Sequence, residues 1–267
     1  MDNNQISKFQ EFAEKANKVG SEILLNHFSN ISGLEKWKKS DEGLVTSADI
    51  ESDNAIQAIL SRSEIKILSE ESTSGLNQSN LTWLVDPLCG TMPFSTGLPY
   101  WGLNIALRCD QQLLLSVVSL PYFNEIFVSI LGRGVTLNGE ILERKAPTKN
   151  LSDGIIGLEI DGGKEWEKLL PKELNWLTKV NQVNTFASAA YPLTQVCQGR
   201  LAAVVFYGIE SVHIAAGALL ATELGLKVTD DRNNGIDWKN EKENRIVVVG
   251  WPEVHNQLIT RMQCLTG

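Results

Sequence analysis

Apolar positions between Ile6 and Phe28 recur at spacings of three and four. Ile6, Phe9, Phe12, Ala13, Ala16, Val19, Ile23, Leu24 and His27 share one face, which predicts an amphipathic helix packed on something larger. Residues 29–43 mix turn formers with Lys36, Lys38 and Lys39 and read as an exposed connection. Ser47 is placed to cap a second helix that runs to Leu60. Asp49, Glu51 and Asp53 lie early in it, where the positive helix terminus favours carboxylates. Short apolar runs then follow at Ile65–Leu68, Leu81–Val85, Leu103–Leu107, Leu113–Leu120 and Ile126–Ile130. They predict a sheet built largely by meanders, with 108–112 as a hairpin connection.

The second half alternates more. Strands are expected at Gly154–Leu158, Ala202–Phe206 and Arg245–Val249, and helices at Ala189–Gln198, Ile214–Leu224 and Pro252–Cys264. Interleaved helices and sheets predict a layered α/β architecture. No internal repeat or Pro/Gly/Ser-rich linker divides the chain, so residues 1–267 are expected to form one domain. The weakest join, near Ala146–Asp153, separates sub-lobes 1–148 and 149–267.

Composition adds mainly exclusions. A 43% hydrophobic and 21% charged chain can bury a core and is not compositionally disordered. Its 24 Lys and Arg against 32 Asp and Glu give a net charge of −8, which disfavours a nucleic-acid or anionic-lipid binder held by general electrostatics. Cys89, Cys109, Cys197 and Cys264 show no paired CxxC spacing, which argues against a disulfide framework or zinc ribbon and for a reducing compartment. The polar start Met1–Gln5 does not read as a secretory signal, and no run of about 18 apolar residues suggests a membrane span. A cytoplasmic location is the expectation.

The candidate chemistry is acidic. Asp49, the pair Glu70-Glu71 and Asp86 each stand at a strand end or helix start, where distant parts of a chain converge. The segment WLVDPLCGT, Trp83–Thr91, ends an apolar run in Asp-Pro and then Gly, so the chain must turn just beyond the carboxylate. Acids gathered in one cleft repel one another, and a hard cation such as Mg²⁺ relieves this by taking their oxygens. Metal-assisted phosphoryl transfer to water is the chemistry that follows. Solvated or capping acids are the plain structural alternative.

The residues go further by resemblance. Ile67-Leu68-Ser69-Glu70-Glu71-Ser72, then WLVDPLCGTMPF at 83–94, Gly97-Leu98-Pro99 and Asn104–Leu107 are similar to motifs of the inositol monophosphatase family. Thr46–Asp49, Gly132–Gly139 and Ala215–Glu223 resemble others in the same order, so the likeness runs from about Lys39 to Trp251. It implies an αβαβα layered sandwich and a divalent-metal phosphomonoesterase acting on a small phosphorylated metabolite, commonly as a homodimer. The resemblance makes Glu70 and Asp86 metal ligands with the backbone carbonyl of Leu88, and lets Glu70 orient the attacking water. Thr91 would hydrogen-bond that water, supported by Asp49. Gly90, Thr91 and Lys39 would receive phosphate, and Mg²⁺ would be the cofactor.

The departures fall on the metal and substrate sites. Cys89 replaces the second acid of the D-P-x-D-G motif, and Val212-His213 replaces the Trp-Asp that precedes the helical A-A-G. Met92-Pro93 replaces a polar pair, Gly225-Leu226 ends the last motif, and Phe206 aligns with the acid that holds inositol hydroxyls. Loss of two carboxylates points to a catalytically impaired member that binds a ligand or a protein and needs no metal. Yet Cys89 and His213 are themselves ligand types, and with Asp86 they would suit Zn²⁺. Trp37, Trp83, Tyr100 and Trp101 read as core or rim packing rather than a binding groove.

Overall fold

The computed structural model describes residues 2–38, 43–75, 80–160, 174–239 and 245–263. The first helix, α1 (Asn3–Ser29), starts from a capping box in which the Gln5 amide donates to Asp2 Oδ1 at 2.8 Å. It buries Ile6, Ala13, Ala16 and Leu24 of the expected face, together with Asn17 and Gly20. The stretch taken as plain connection contains a short hairpin, β1 (Lys36–Lys38) antiparallel to β2 (Leu44–Thr46). Helix α2 (Ser47–Leu60) is capped by Thr46 rather than Ser47, because Asp49 accepts both the Thr46 amide (2.8 Å) and hydroxyl (2.6 Å).

The larger sheet comprises β3 (Lys66–Ser69), β4 (Thr73–Ser74), β5 (Leu81–Cys89), β6 (Gly102–Cys109), β7 (Gln112–Leu120), β8 (Glu125–Ile130), β9 (Val135–Leu137) and β10 (Glu140–Ile141). Its order is β10-β9-β8-β7-β6-β5-β3-β4, antiparallel throughout except where β3 runs parallel to β5. The smaller sheet contains β11 (Ile155–Ile160), β12 (Gln182–Asn184), β13 (Ala203–Ile209), β14 (Lys227–Thr229) and β15 (Arg245–Gly250), in the order β12-β11-β13-β15-β14. Helix α3 (Thr91–Ser95) follows β5, while α4 (Ala190–Cys197), α5 (Ser211–Glu223) and α6 (Pro252–Gln263) complete the chain.

Strand periodicity of two sorts the core into layers. Trp83, Val85, Leu103, Ile105 and Val117 pack with α1 and α2 on one face of the large sheet. Leu84, Ala106, Val118 and Phe127 point the other way, onto α4 and α5, where they share a core with Val204, Phe206, Val247 and Val249 of the small sheet. Ala203, Val205, Tyr207 and Val248 face outward beneath α6. The result is helix, sheet, helix, sheet, helix, the expected sandwich. Helix α5, lying between two sheets, is buried on nearly all sides, which explains its lack of a polar stripe. The middle core draws residues from both sides of the 146–153 join. Trp83 and Trp101 are core residues, and Trp37 is exposed.

Candidate active site

Strand β5 is the axis of the site. Its register on β6 slips between Asp86 and Cys89, around Pro87, which has no amide to give the ladder. The slip inverts the faces. Leu84 lies on the α5 side and Val85 on the α2 side, whereas Leu88 lies on the α2 side and Cys89 on the α5 side. Gly90 then turns the chain with φ of +102°, and a Cβ there would stand 2.8 Å from the Tyr100 carbonyl oxygen.

Helix α2 ties the strand ends together. Ser52 donates to the Pro87 carbonyl at 2.9 Å, and Asp53 accepts Ser69 Oγ at 2.6 Å and Gln57 Nε2 at 2.8 Å, with Ser72 Oγ bound to the same carboxylate. The Glu70 amide donates to Val85 at 3.1 Å, fixing Glu70 one step from Asp86 on parallel strands. From across the middle layer, His213 in the first turn of α5 brings Nδ1 to 2.8 Å from Asp86 Oδ2 and 3.8 Å from Glu70 Oε2. Asn104, opposite Asp86 on β6, donates to the His213 carbonyl at 2.9 Å and holds the helix end there.

One ligand atom from each of Glu70, Asp86 and His213 lies within 4.8 Å of the others. The Asp86 side chain is wholly buried, and among the described residues its Oδ1 has no hydrogen-bond partner. Such an atom is costly to leave unpaired, by about 1–3 kcal/mol or more for a charged group. Two carboxylates, one of them carrying the orphaned buried oxygen, and an imidazole suit a divalent cation, so these residues fit a bound divalent metal.

Cys89 is not part of this group. Its Sγ accepts the amides of Ala189 and Ala190, both at 3.2 Å, at the start of α4. Burial, and then the charge of Asp86, push its thiol well above the usual range. The face inversion in β5 therefore aims Cys89 at a helix terminus instead of at a metal. Thr91 and Asp49 do meet: Thr91 Oγ1 donates to Asp49 Oδ1 at 2.9 Å, with the Leu88 carbonyl 3.3 Å away. Burial raises Asp49 to about 6 against its three hydrogen bonds to Thr46 and Thr91. Lys39 lies outside the described residues.

Glu70, Asp86, Leu88, Cys89, Gly90, Thr91, Phe206 and His213 line a single cleft of about 260 Å³. So does Glu159, which the sequence reading did not single out. It is only 6% exposed, pairs with Phe206 across β11 and β13, and accepts the amides of Phe186 and Ala187 at 2.8 Å each. The only local signal was one acid inside the apolar run Ile155–Ile160. Asp53 and Asn104 were likewise passed over as contributors to the site.

The model of the inositol monophosphatase family matches residues 5–266. The chain is 28% identical to an inositol-1-monophosphatase of Caulobacter vibrioides, over 90% of this chain and 95% of that one. It is 31% identical to an inositol monophosphatase of Dictyostelium discoideum, over 93% and 92%. The crystal structure of the extragenic suppressor protein suhB from Bartonella henselae superposes with a TM-score of 0.86 at 23% identity, covering 96% of this chain and 98% of that one.

Proposed function

The chain belongs to the inositol monophosphatase family, and from this we propose that it hydrolyses a small phosphate monoester with the help of a divalent cation. The observation that supports the reading most is the convergence of Glu70, Asp86 and His213 beside the Thr91–Asp49 pair in one cleft. Glu70, Asp86 and His213 would hold the cation, which would offset phosphate charge and lower the pKa of a water.

The protein's own groups do the rest. Thr91 gives its hydroxyl proton to Asp49, so the lone pairs of Oγ1 are turned outward to accept a hydrogen bond from the attacking water. Asp49, itself held by Thr46, keeps Thr91 in that orientation; as the water attacks, its proton would pass to Thr91 Oγ1 while the Thr91 proton passes to Asp49. The burial of Asp49 raises its basicity for this task. Glu70 orients the water from the metal side, and the cleft walls shield the phosphate from bulk solvent. No helix among the described residues is long and apolar enough to cross a membrane. A soluble metabolite as substrate and a second copy of this chain as partner belong to the same proposal.

A second reading has its own observation. The 2.8 Å bond between His213 and Asp86 lets the site close on itself, as expected of an impaired member that binds without turnover. Hydrolysis of p-nitrophenyl phosphate by the full chain, with Mg²⁺, Mn²⁺ or Zn²⁺ added in turn, separates the two. Cation-dependent turnover that Asp86→Asn abolishes, with circular dichroism unchanged, is the expected result. No turnover with any cation would favour the binding protein.

A further inference from the structure

The donor set at the strand ends bears on which ion it takes. His213 Nδ1 stands 2.8 Å from Asp86 Oδ2 and 3.8 Å from Glu70 Oε2. Neighbouring ligands held at ~2.0–2.2 Å from one ion lie roughly 3–3.5 Å apart, so small side-chain shifts would bring all three onto a common centre. Rigid elements supply them: Asp86 is on a central strand, Glu70 is bonded through its amide to Val85, and His213 is held through its carbonyl by Asn104. Asp86 Oδ1 is a buried lone-pair site without a hydrogen-bond partner among the described residues.

These donors are two oxygens and one nitrogen. Mg²⁺ demands oxygen ligands in near-octahedral order and gains little from imidazole, whereas borderline transition ions take imidazole and carboxylate together. Sulfur is not available as a fourth donor, because the Cys89 thiol is engaged with the Ala189 and Ala190 amides. Glu159 does not supply a second centre either, since its carboxylate is bound to the Phe186 and Ala187 amides. We propose that Glu70, Asp86 and His213 bind a single borderline divalent ion, Co²⁺ or Zn²⁺, in preference to Mg²⁺. This rests on the site named above but not on its turning over a substrate.

The test is calorimetric titration of the full chain, dialysed against chelator, with CoCl₂, ZnCl₂ and MgCl₂ separately. The expected result is one equivalent of Co²⁺ or Zn²⁺, bound at least about tenfold more tightly than Mg²⁺. His213→Ala and Asp86→Asn should each remove that equivalent while circular dichroism stays unchanged. His213→Asp should narrow the gap by strengthening Mg²⁺. Cys109→Ser, which removes a partly exposed thiol able to scavenge Zn²⁺, should change nothing. The visible spectrum with Co²⁺ should lack a thiolate charge-transfer band. Equal affinity for Mg²⁺, two equivalents, indifference to His213→Ala or a thiolate band would each overturn the proposal. All these readouts are independent of phosphatase activity, so either reading can fail while the other stands.

Discussion

Thr91 Oγ1 donates to Asp49 Oδ1 at 2.9 Å, joining the first turn of one helix to the first turn of another across 42 residues. The bond makes Asp49 an acceptor within the cleft as well as a capping residue, and it defines the orientation of the only hydroxyl placed to receive a water there among the proposed catalytic groups. Thr91→Val keeps the shape and removes the hydroxyl. Its kcat for a phosphomonoester should fall about 10²–10⁴-fold, the usual range for a lost acid–base contact, while Thr91→Ser retains most of the rate. Equal turnover by Thr91→Val in steady-state assays would exclude the relay.

Burial raises Asp49 from 3.8 to about 6. Between those values the folded chain binds a proton that the unfolded chain does not, so this group's contribution to stability is present at low pH and is lost as pH rises to about 6. The full difference corresponds to roughly 3 kcal/mol. His255, buried and lowered to about 4, acts in the opposite sense: its contribution is lost as pH falls from 6.5 to about 4. The Asp49 component is therefore read as the difference between the parent and Asp49→Asn in urea unfolding at pH 5 and pH 7. The parent should gain stability relative to the variant at pH 5, and parallel pH profiles would contradict the shift.

Gly217 sits where α5 crosses α4, and a Cβ there would come within 2.5 Å of Leu193 Cδ1. Leu193 is fully buried in the middle core and has little room to yield. Gly217→Ala should cost about 1–3 kcal/mol of stability through overpacking. Chemical denaturation measures it, and a stabilised variant would mean that the two helices separate easily.

Phe206 closes the back of the cleft with an apolar ring, and the neighbouring Glu159 is already bound to two amides. A polyol seated there would leave hydroxyls unpaired at about 1–3 kcal/mol for each buried group. Inositol 1-phosphate should therefore be a poorer ligand than an aryl phosphate. Saturable micromolar binding of inositol 1-phosphate in calorimetry would show that the cleft offers hydroxyl partners after all.

Glu159 also holds Ala187 in a left-handed conformation, φ +54°. Glu159→Gln presents an NH₂ where one of the two amides needs an acceptor, so the loop should loosen. Amide hydrogen exchange at Phe186 and Ala187 should quicken, and unchanged protection would show that the loop is held by other contacts.

Much of the architecture was legible along the chain because the signals are local. The period of three to four in Ile6–Leu24 and the period of two in Trp83–Val85 and Leu103–Leu107 each reflect a side chain's position relative to its own backbone. Glu70, Thr91 and Asp49 stand out along the chain for the same reason, since each follows a strand or opens a helix, whereas Asp86, expected at a strand end, lies within β5, which runs on to Cys89. Short strands such as β9, β12 and β14 were not, since two or three residues carry no periodicity and form only against a partner.

The tertiary structure decided the rest. A strand's alternation fixes its faces only while the ladder is regular, and the slip between Asp86 and Cys89 reverses them. That reversal turns Cys89 toward the amides of α4 while Asp86 stays beside His213, 127 residues away. It separates two substitutions that look equivalent in sequence. Glu159 enters the cleft only because β11 pairs with β13, which sets it opposite Phe206. The sequence determined which of the longer elements form; packing between layers determined which side chains meet, because that depends on register and on neighbours that no local pattern encodes.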